Sequence, residues 1–245
     1  MNTWPRSACY PPATSRKCRE PRRIGAWLGL IAGLRVAAVV ASTNLPPEGK
    51  SMSKVLPPPQ TKGTVSVEES LARRRSVRKF RADALTAEQI GQLLWAAQGV
   101  TEPQRGLRTA PSAGATFPLE TYAVTSEGVF RYQPQLHALA EIRRGDVRAD
   151  LGRAALEQAW MRTAPLIVVL AAVPERTTRR YGTRGTMYVH MEAGHAAQNV
   201  HLQAVALGLD SVPVGAFRDA EVAEVLGLPK GQVPLYLVPV GRAAP

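Results

Sequence analysis

The chain has 245 residues, 45% of them hydrophobic and 20% charged, which supports one large domain with its own core and excludes wholesale disorder. Its formal net charge of +12 points first to nucleic acid or an anionic membrane surface. The distribution weakens that reading. Residues 1–61 hold nine Lys/Arg and two acids, whereas residues 62–245 hold twenty-two and seventeen.

The N-terminal tail, residues 1–61, comes first. Arg22 and Arg23 precede an apolar run, 24–41, that ends in small residues at Ala41, the pattern of a signal peptide or anchor. Arg35 interrupts the run, at about 3 kcal/mol on insertion scales. The competing expectation is translation from Met52, which gives a cytoplasmic protein without this segment. Cys9 and Cys18 both lie in the tail, so residues 62–245 contain no disulfide, thiolate nucleophile or cysteine-based metal site. Residues 56–63 read as a polyproline linker.

Residues 62–245 read as one α+β domain, helix-rich around a mixed or antiparallel sheet. Ser66 with Glu69 predicts a capping box opening a helix over 67–75. Thr86 with Gln89 opens a second, whose apolar face is Ile90, Leu93, Leu94 and Ala97 and which stops at Gly99. Residues 109–118 form a small, turn-rich loop. Residues 119–126 and 128–134 pair as a hairpin around Glu127-Gly128. A helix follows over 148–161. The aliphatic run 164–173 predicts a strand buried on both faces. A long helix covers 186–208, rich in small residues that permit close helix packing. A strand at 210–217 leads into a tight turn, a helix covers 219–228, and a strand closes the domain at 234–242.

The chemistry is narrowed by what is missing. No glycine pair carries the dinucleotide-binding or phosphate-loop spacing. His190, His195 and His201 sit five and six residues apart on one predicted helix and point in different directions, so no metal is expected. No nucleophile elbow is present, and Ser112 reads as a turn former. What stands out is Ala-Arg-Arg-Arg-Ser-Val-Arg-Lys-Phe-Arg, 72–81, with six cations around one serine. Two readings stay open. The run is a solvated charged face, or Arg74, Arg75, Ser76 and Arg78 grip one compact dianion such as a phosphomonoester. Nucleic acid is disfavoured because no aromatic residues are interleaved to stack bases.

Four segments in order, 73–80, 110–120, 192–217 and 234–242, resemble the nitroreductase-like flavoproteins. Within them 110–120, Tyr181-Gly182-Thr183-Arg184-Gly185 and 192–199 are similar to the SagB-type dehydrogenase branch, which includes azoline oxidases of peptide natural-product pathways. The resemblance covers about residues 62–243. It implies a nitroreductase-like fold, an intertwined homodimer and one FMN at each of two subunit interfaces. It places Arg74, Arg75 and Ser76 at the phosphate, with Arg78 toward the pyrimidine edge of the ring. Pro111, Ser112, Ala113 and Gly114 would come from the other subunit. Gly215 and Ala216 would offer backbone to the ring, and Arg242 would close on the phosphate.

The implied activity is FMN-dependent oxidoreduction, from NAD(P)H or another donor to an acceptor such as a nitro-aromatic or quinone. The alternatives are oxidation of azoline rings in a modified peptide and a flavin-binding module without turnover. The azoline-oxidising members resemble each other in a Lys-Tyr pair, and this chain has Arg180-Tyr181. An arginine cannot release a proton at neutral pH, which leaves Tyr181 as the acid/base or substrate-contact candidate.

Overall fold

The computed structural model describes residues 53–245; the apolar run at 24–41 and both cysteines lie outside them. Strand β7, Leu166–Ala172, runs through the centre and is buried along its whole length, as the aliphatic run predicts. It pairs antiparallel with β4, Leu119–Val124, on one side and β9, Val233–Gly241, on the other. Beyond β4 lie β5, Gly128–Gln133, β6, Ala138–Arg144, and β1, Ser53–Val55. Beyond β9 lies β8, Asp210–Ser211. All named strand pairs are antiparallel. A separate two-stranded ribbon joins β2, Val100–Glu102, to β3, Leu107–Arg108.

Side chains of β7 alternate between two cores, as the two-residue period of a strand requires. Leu166, Val168 and Leu170 enter one with Leu93, Leu94 and Val200; Ile167 and Val169 enter the other with Leu151, Val222 and Leu226. The first core is covered by α2, Ala87–Gln98, and α5, Arg184–Ala206. The second is covered by α3, Arg148–Ala154, and α6, Asp219–Leu226. The sheet is therefore the middle of three layers.

Local signals produce the expected ends. Helix α2 opens on the full Thr86/Gln89 capping box. Its stop at Gly99 is steric, not conformational. The backbone there is extended, and a Cβ would stand 2.1 Å from Trp95 Cδ1. Helix α1, Val67–Arg73, is capped by the Ser66 hydroxyl, which accepts from the Glu69 N–H at 3.0 Å, but the Glu69 carboxylate turns to Arg73 at 2.7 Å. Half of the predicted box is thus replaced by an ion pair.

Three expectations are corrected. The helix read over 148–161 ends at Ala154. Leu156 and Glu157 take positive φ and a 3-10 turn covers Ala159–Thr163. Gly152 allows this fold-back, because a Cβ there would lie 2.9 Å from the Gln158 carbonyl oxygen. The segment read as a linker is docked. Ser53–Val55 pairs with β6, Leu56 is buried, and the Gln60 amide donates to Gln92 at 2.8 Å. The domain thus includes residues before 62. Lastly, β6 and α4, Glu175–Tyr181, were not predicted. Both are seven residues long and rich in charge, at the end of β6 and at both ends of α4, so neither shows a clear period.

Candidate functional site

The basic cluster lies at the β8–β9 edge of the sheet. Arg74 caps α1 with its N–H on the Ser70 carbonyl, and its backbone then leaves the helical region. The chain continues extended. Ser76 bridges Ser211, the Val77 N–H donates to the Ser211 carbonyl at 3.2 Å, and the Arg81 N–H donates to the Arg242 carbonyl at 2.9 Å. The segment thus runs between β8 and the chain's last residues, which brings Arg74, Arg75, Ser76, Arg78 and Arg242 to one edge.

Their charges are not spent equally. Arg73 pairs with Glu69 at 2.7 Å and Arg81 with Asp83 at 2.9 Å. Arg75 Nη1 donates to the carbonyls of Ala72 and Arg74. Among the described residues, Arg74, Arg75, Arg78 and Arg242 have no carboxylate within ion-pair distance. Unpaired guanidinium forks at one sheet edge suit a compact anion.

Beneath the cluster is one of the three helix histidines, and it is packed and hydrogen-bonded, the role expected ahead of a metal ligand. His201 of α5 is 3% exposed, and its Nδ1 lies 2.6 Å from the Ser211 hydroxyl. Burial, reinforced by the nearby Arg74 charge, lowers its pKa to about 4. The imidazole is therefore neutral at pH 7 and buttresses the strand on which Ser76 and Val77 lie. Among the described residues, no group of three or more potential ligands is placed to hold a metal ion.

The Pro111–Gly114 segment is elsewhere. It enters β4, and Leu119 of β4 pairs with Ala172 at the end of β7. Arg242 follows β9 at the other end of β7, where Leu166 pairs with Val240. Along a strand of this length the two ends stand about 20 Å apart. Ser112 meets α5 at Glu192, and the basic cluster meets it at His201, nine residues or about 14 Å farther along the helix.

Helix α4 clamps this loop. Arg180 Nη1 donates to the Gly114 carbonyl at 3.2 Å, Arg176 donates to the Phe117 carbonyl at 3.1 Å, and the hydroxyls of Thr177 and Thr116 lie 2.8 Å apart. Gly114 has φ +59°, and a Cβ there would lie 2.5 Å from the Tyr181 hydroxyl and 2.8 Å from Arg180 Nη1. Two non-glycine neighbours, Ala115 and Phe117, are also left-handed. Such strain persists only where surrounding contacts enforce it. Gly114→Ala is expected to cost about 1 kcal/mol in fold stability through its backbone and to dislodge Arg180 and Tyr181. A chemical-denaturation midpoint combined with Tyr181 fluorescence quenching will check both effects.

Gly215 and Ala216 are exposed on the β9 side of the sheet, next to Val214, which exchanges backbone hydrogen bonds with Leu237. Gly215 does not need to be glycine for the fold. Its φ is not left-handed and a Cβ would make an ordinary 3.5 Å contact with Tyr236. The tight bend expected there is thus not what requires a glycine.

Two cavities of about 660 Å³ and 230 Å³ are present, and neither is lined by a predicted site residue. The first lies among α1, α2 and α5. The second is lined by Arg108, Thr121, Tyr132 and Arg176.

Sequence reasoning also missed Glu192 and Arg108. Glu192 of α5 is 3% exposed and hydrogen-bonds Ser112; burial raises its pKa to about 7, against the lowering effects of Ser112 and Arg108. The signal was available. Glu192 and His201 fall on the same helical stripe as Val189, Ala193, Ala196, Val200 and Ala204, so two ionisable residues interrupt an apolar face.

This three-layer α+β fold around an antiparallel sheet, with a cationic edge and a clamped loop, is shared with a family of oxidoreductases. The sequence pattern of the nitroreductase family matches residues 71–242, and the chain belongs to that family. A Methanocaldococcus jannaschii protein named as a candidate nitroreductase is 47% identical over 184 residues, covering 73% of this chain and 91% of that one. A crystal structure of a candidate nitroreductase from Ralstonia eutropha JMP134 superposes with a TM-score of 0.70 at 28% identity, over 80% of this chain and 92% of that one. An NADPH:FMN oxidoreductase from Vibrio harveyi, solved with NAD+, shares the fold at TM-score 0.55 and 24% identity, over 73% and 69% of the two chains.

Proposed function

We propose that the chain is an FMN-dependent oxidoreductase that works as a homodimer, taking electrons from NAD(P)H and delivering them to a nitro-aromatic or quinone acceptor. The observation that carries this reading is the set of guanidinium groups on Arg74, Arg78 and Arg242 without carboxylate partners. A dianionic phosphate on a neutral flavin satisfies them better than solvent does. Membership of the nitroreductase family and the shared fold with an NADPH:FMN oxidoreductase point the same way.

Arg74, Arg75, Ser76 and Arg242 would hold the phosphate, and Arg78 would set a positive charge beside the pyrimidine edge of the ring. Gly215, which the fold leaves free to be larger, would let backbone approach the ring closely. Bound there, FMN would supply two-electron transfer, for which residues 62–245 hold no cysteine pair of their own. The residues' part is to bind, to orient and to place charge. As the family resemblance implies, the Pro111–Gly114 loop of a second copy would complete the site. A homodimer is therefore part of the proposal.

Azoline oxidation in a modified peptide, the activity of the SagB-type branch, has less support. Arg180 stands where the Lys of the Lys-Tyr pair would be, and it is engaged with the Gly114 carbonyl. Tyr181 keeps its hydroxyl at the loop and would contact substrate.

The test uses the purified full chain. Expected are a dimer in solution, one FMN released per chain, bleaching of the flavin by NADH or NADPH without oxygen, and recovery of colour on adding a nitro-aromatic or quinone. Bleaching reversed only by an azoline-containing peptide would favour the alternative acceptor. A yellow protein that no donor reduces would make it a binding module. A colourless monomer that ignores added FMN would remove the proposal.

A further inference from the structure

The carboxyl group of Glu192 is enclosed. The residue is 3% exposed, its Oε1 has no hydrogen-bond partner, and its side chain reaches Ser112 in the Pro111–Gly114 loop. Ser112 Oγ in turn accepts the Phe117 N–H at 2.9 Å, so one hydroxyl links α5 to both ends of the strained turn.

The obvious counter-ion does not reach it. Arg108 of β3 is the cation that bears on Glu192, yet no ion pair forms between them. Its guanidinium lies over the Phe117 ring at 4.5 Å and donates to Gln98 at 2.8 Å, while its buried Nε has no partner. The other groups felt by Arg108 are Glu120 of β4, Arg176 of α4 and Tyr132 of β5. Glu120 is taken by Arg176 at 2.6 Å, and the Tyr132 hydroxyl lies 2.8 Å from His137 Nδ1. Glu192 therefore sits among groups already engaged. A carboxylate there would carry a full charge with half its acceptors unsatisfied, whereas a neutral carboxyl leaves one weak acceptor unpaired.

We propose that Glu192 is a positioning residue whose enclosed carboxyl lets the 111–117 loop stay closed while it is neutral, and that losing its proton, which the Ser112 contact alone does not offset, loosens the loop. This rests on the proposed function only in that the loop completes a partner's flavin site. The direction of the effect follows from linkage. In the closed loop the carboxyl keeps its proton to about pH 7, whereas a solvated carboxyl loses it near 4.5. Between these values the closed form binds more protons than the open one, so closure is favoured at low pH and weakens about tenfold per pH unit as pH rises, then levels above 7.

The test is amide hydrogen exchange of residues 112–117 in the full chain without FMN, from pH 5 to 8.5, corrected for intrinsic exchange. Wild type is expected to lose protection by one to two orders of magnitude between pH 5 and 7, and Glu192→Gln to show no such slope. An infrared carboxylic-acid band that disappears near pH 7 in wild type, and is absent from E192Q, is the independent signature. A flat wild-type profile, or an equal slope in E192Q, overturns the proposal, and the wild-type profile alone decides should the variant fail to fold. FMN affinity is read separately. Failure to bind FMN would strike the proposed function, while the exchange slope still judges Glu192.

Discussion

Replacing Arg74 and Arg78 together with alanine is expected to weaken FMN binding by about a thousandfold. Each charge-assisted hydrogen bond to a phosphate or a ring oxygen contributes roughly 1.5–3 kcal/mol, or about 10- to 100-fold in affinity. Among the described residues neither guanidinium has a carboxylate partner, so removing them should leave fold stability within about 0.5 kcal/mol of wild type. Arg73→Ala is the matched control. It removes one charge, where the double variant removes two, from the same run of residues, and Arg73 is committed to Glu69 at 2.7 Å. Titration of apoprotein with FMN, followed by flavin fluorescence, should show less than a threefold change for R73A. If R73A weakens binding as much as the double variant does, the edge attracts anions only through its summed charge and the residue assignment is wrong.

Acid should destabilise the protein through His201, and by a large amount for a single group. Its folded pKa of about 4 lies below the ordinary 6.5, mainly because the ring is buried and then because Arg74 is near. Between pH 6.5 and 4 the unfolded chain takes up a proton that the folded chain refuses. Stability therefore falls as pH falls through that window, by about 3 kcal/mol in all. Glu192 titrates in the opposite sense over pH 4.5 to 7, so wild-type unfolding curves alone understate the effect. His201→Asn keeps a polar group near the Ser211 hydroxyl and removes the titration. The free-energy difference between variant and wild type, from urea unfolding, should shift by about 2–3 kcal/mol in the variant's favour between pH 6.5 and 4.5. A constant difference would mean that the histidine is already hydrated or charged in the folded protein.

The two predictions concern residues of different legibility. Charge density marks the run at 72–81 that holds Arg74 and Arg78, and the family resemblance singles out these two. For His201 the sequence supports a packed histidine over a metal ligand but does not name its partner. Its role depends on Ser211, ten residues away in sequence and brought to 2.6 Å by the return of β8 against α5. Glu192 was in the same position: a carboxylate on an apolar stripe is visible, but Ser112, Phe117 and Arg108, the groups that decide its proton, come from a distant loop and strand.

What the amino-acid order settled by itself were features that neighbouring residues control. These are the Ser66 and Thr86 caps, the hairpin at Glu127-Gly128, the buried strand at 166–172, the long small-residue helix and the concentration of cations at 72–81. Each follows from steric preference or periodicity over a few residues. Tertiary structure alone decided that Leu56 belongs to the core, that the helix after Arg148 stops at Ala154, and which arginines keep a free charge. It also set Pro111–Gly114 and the basic edge at different levels of α5, the first beside Glu192 and the second beside His201. These outcomes depend on burial and on through-space distance, which are fixed only once remote segments have packed against each other.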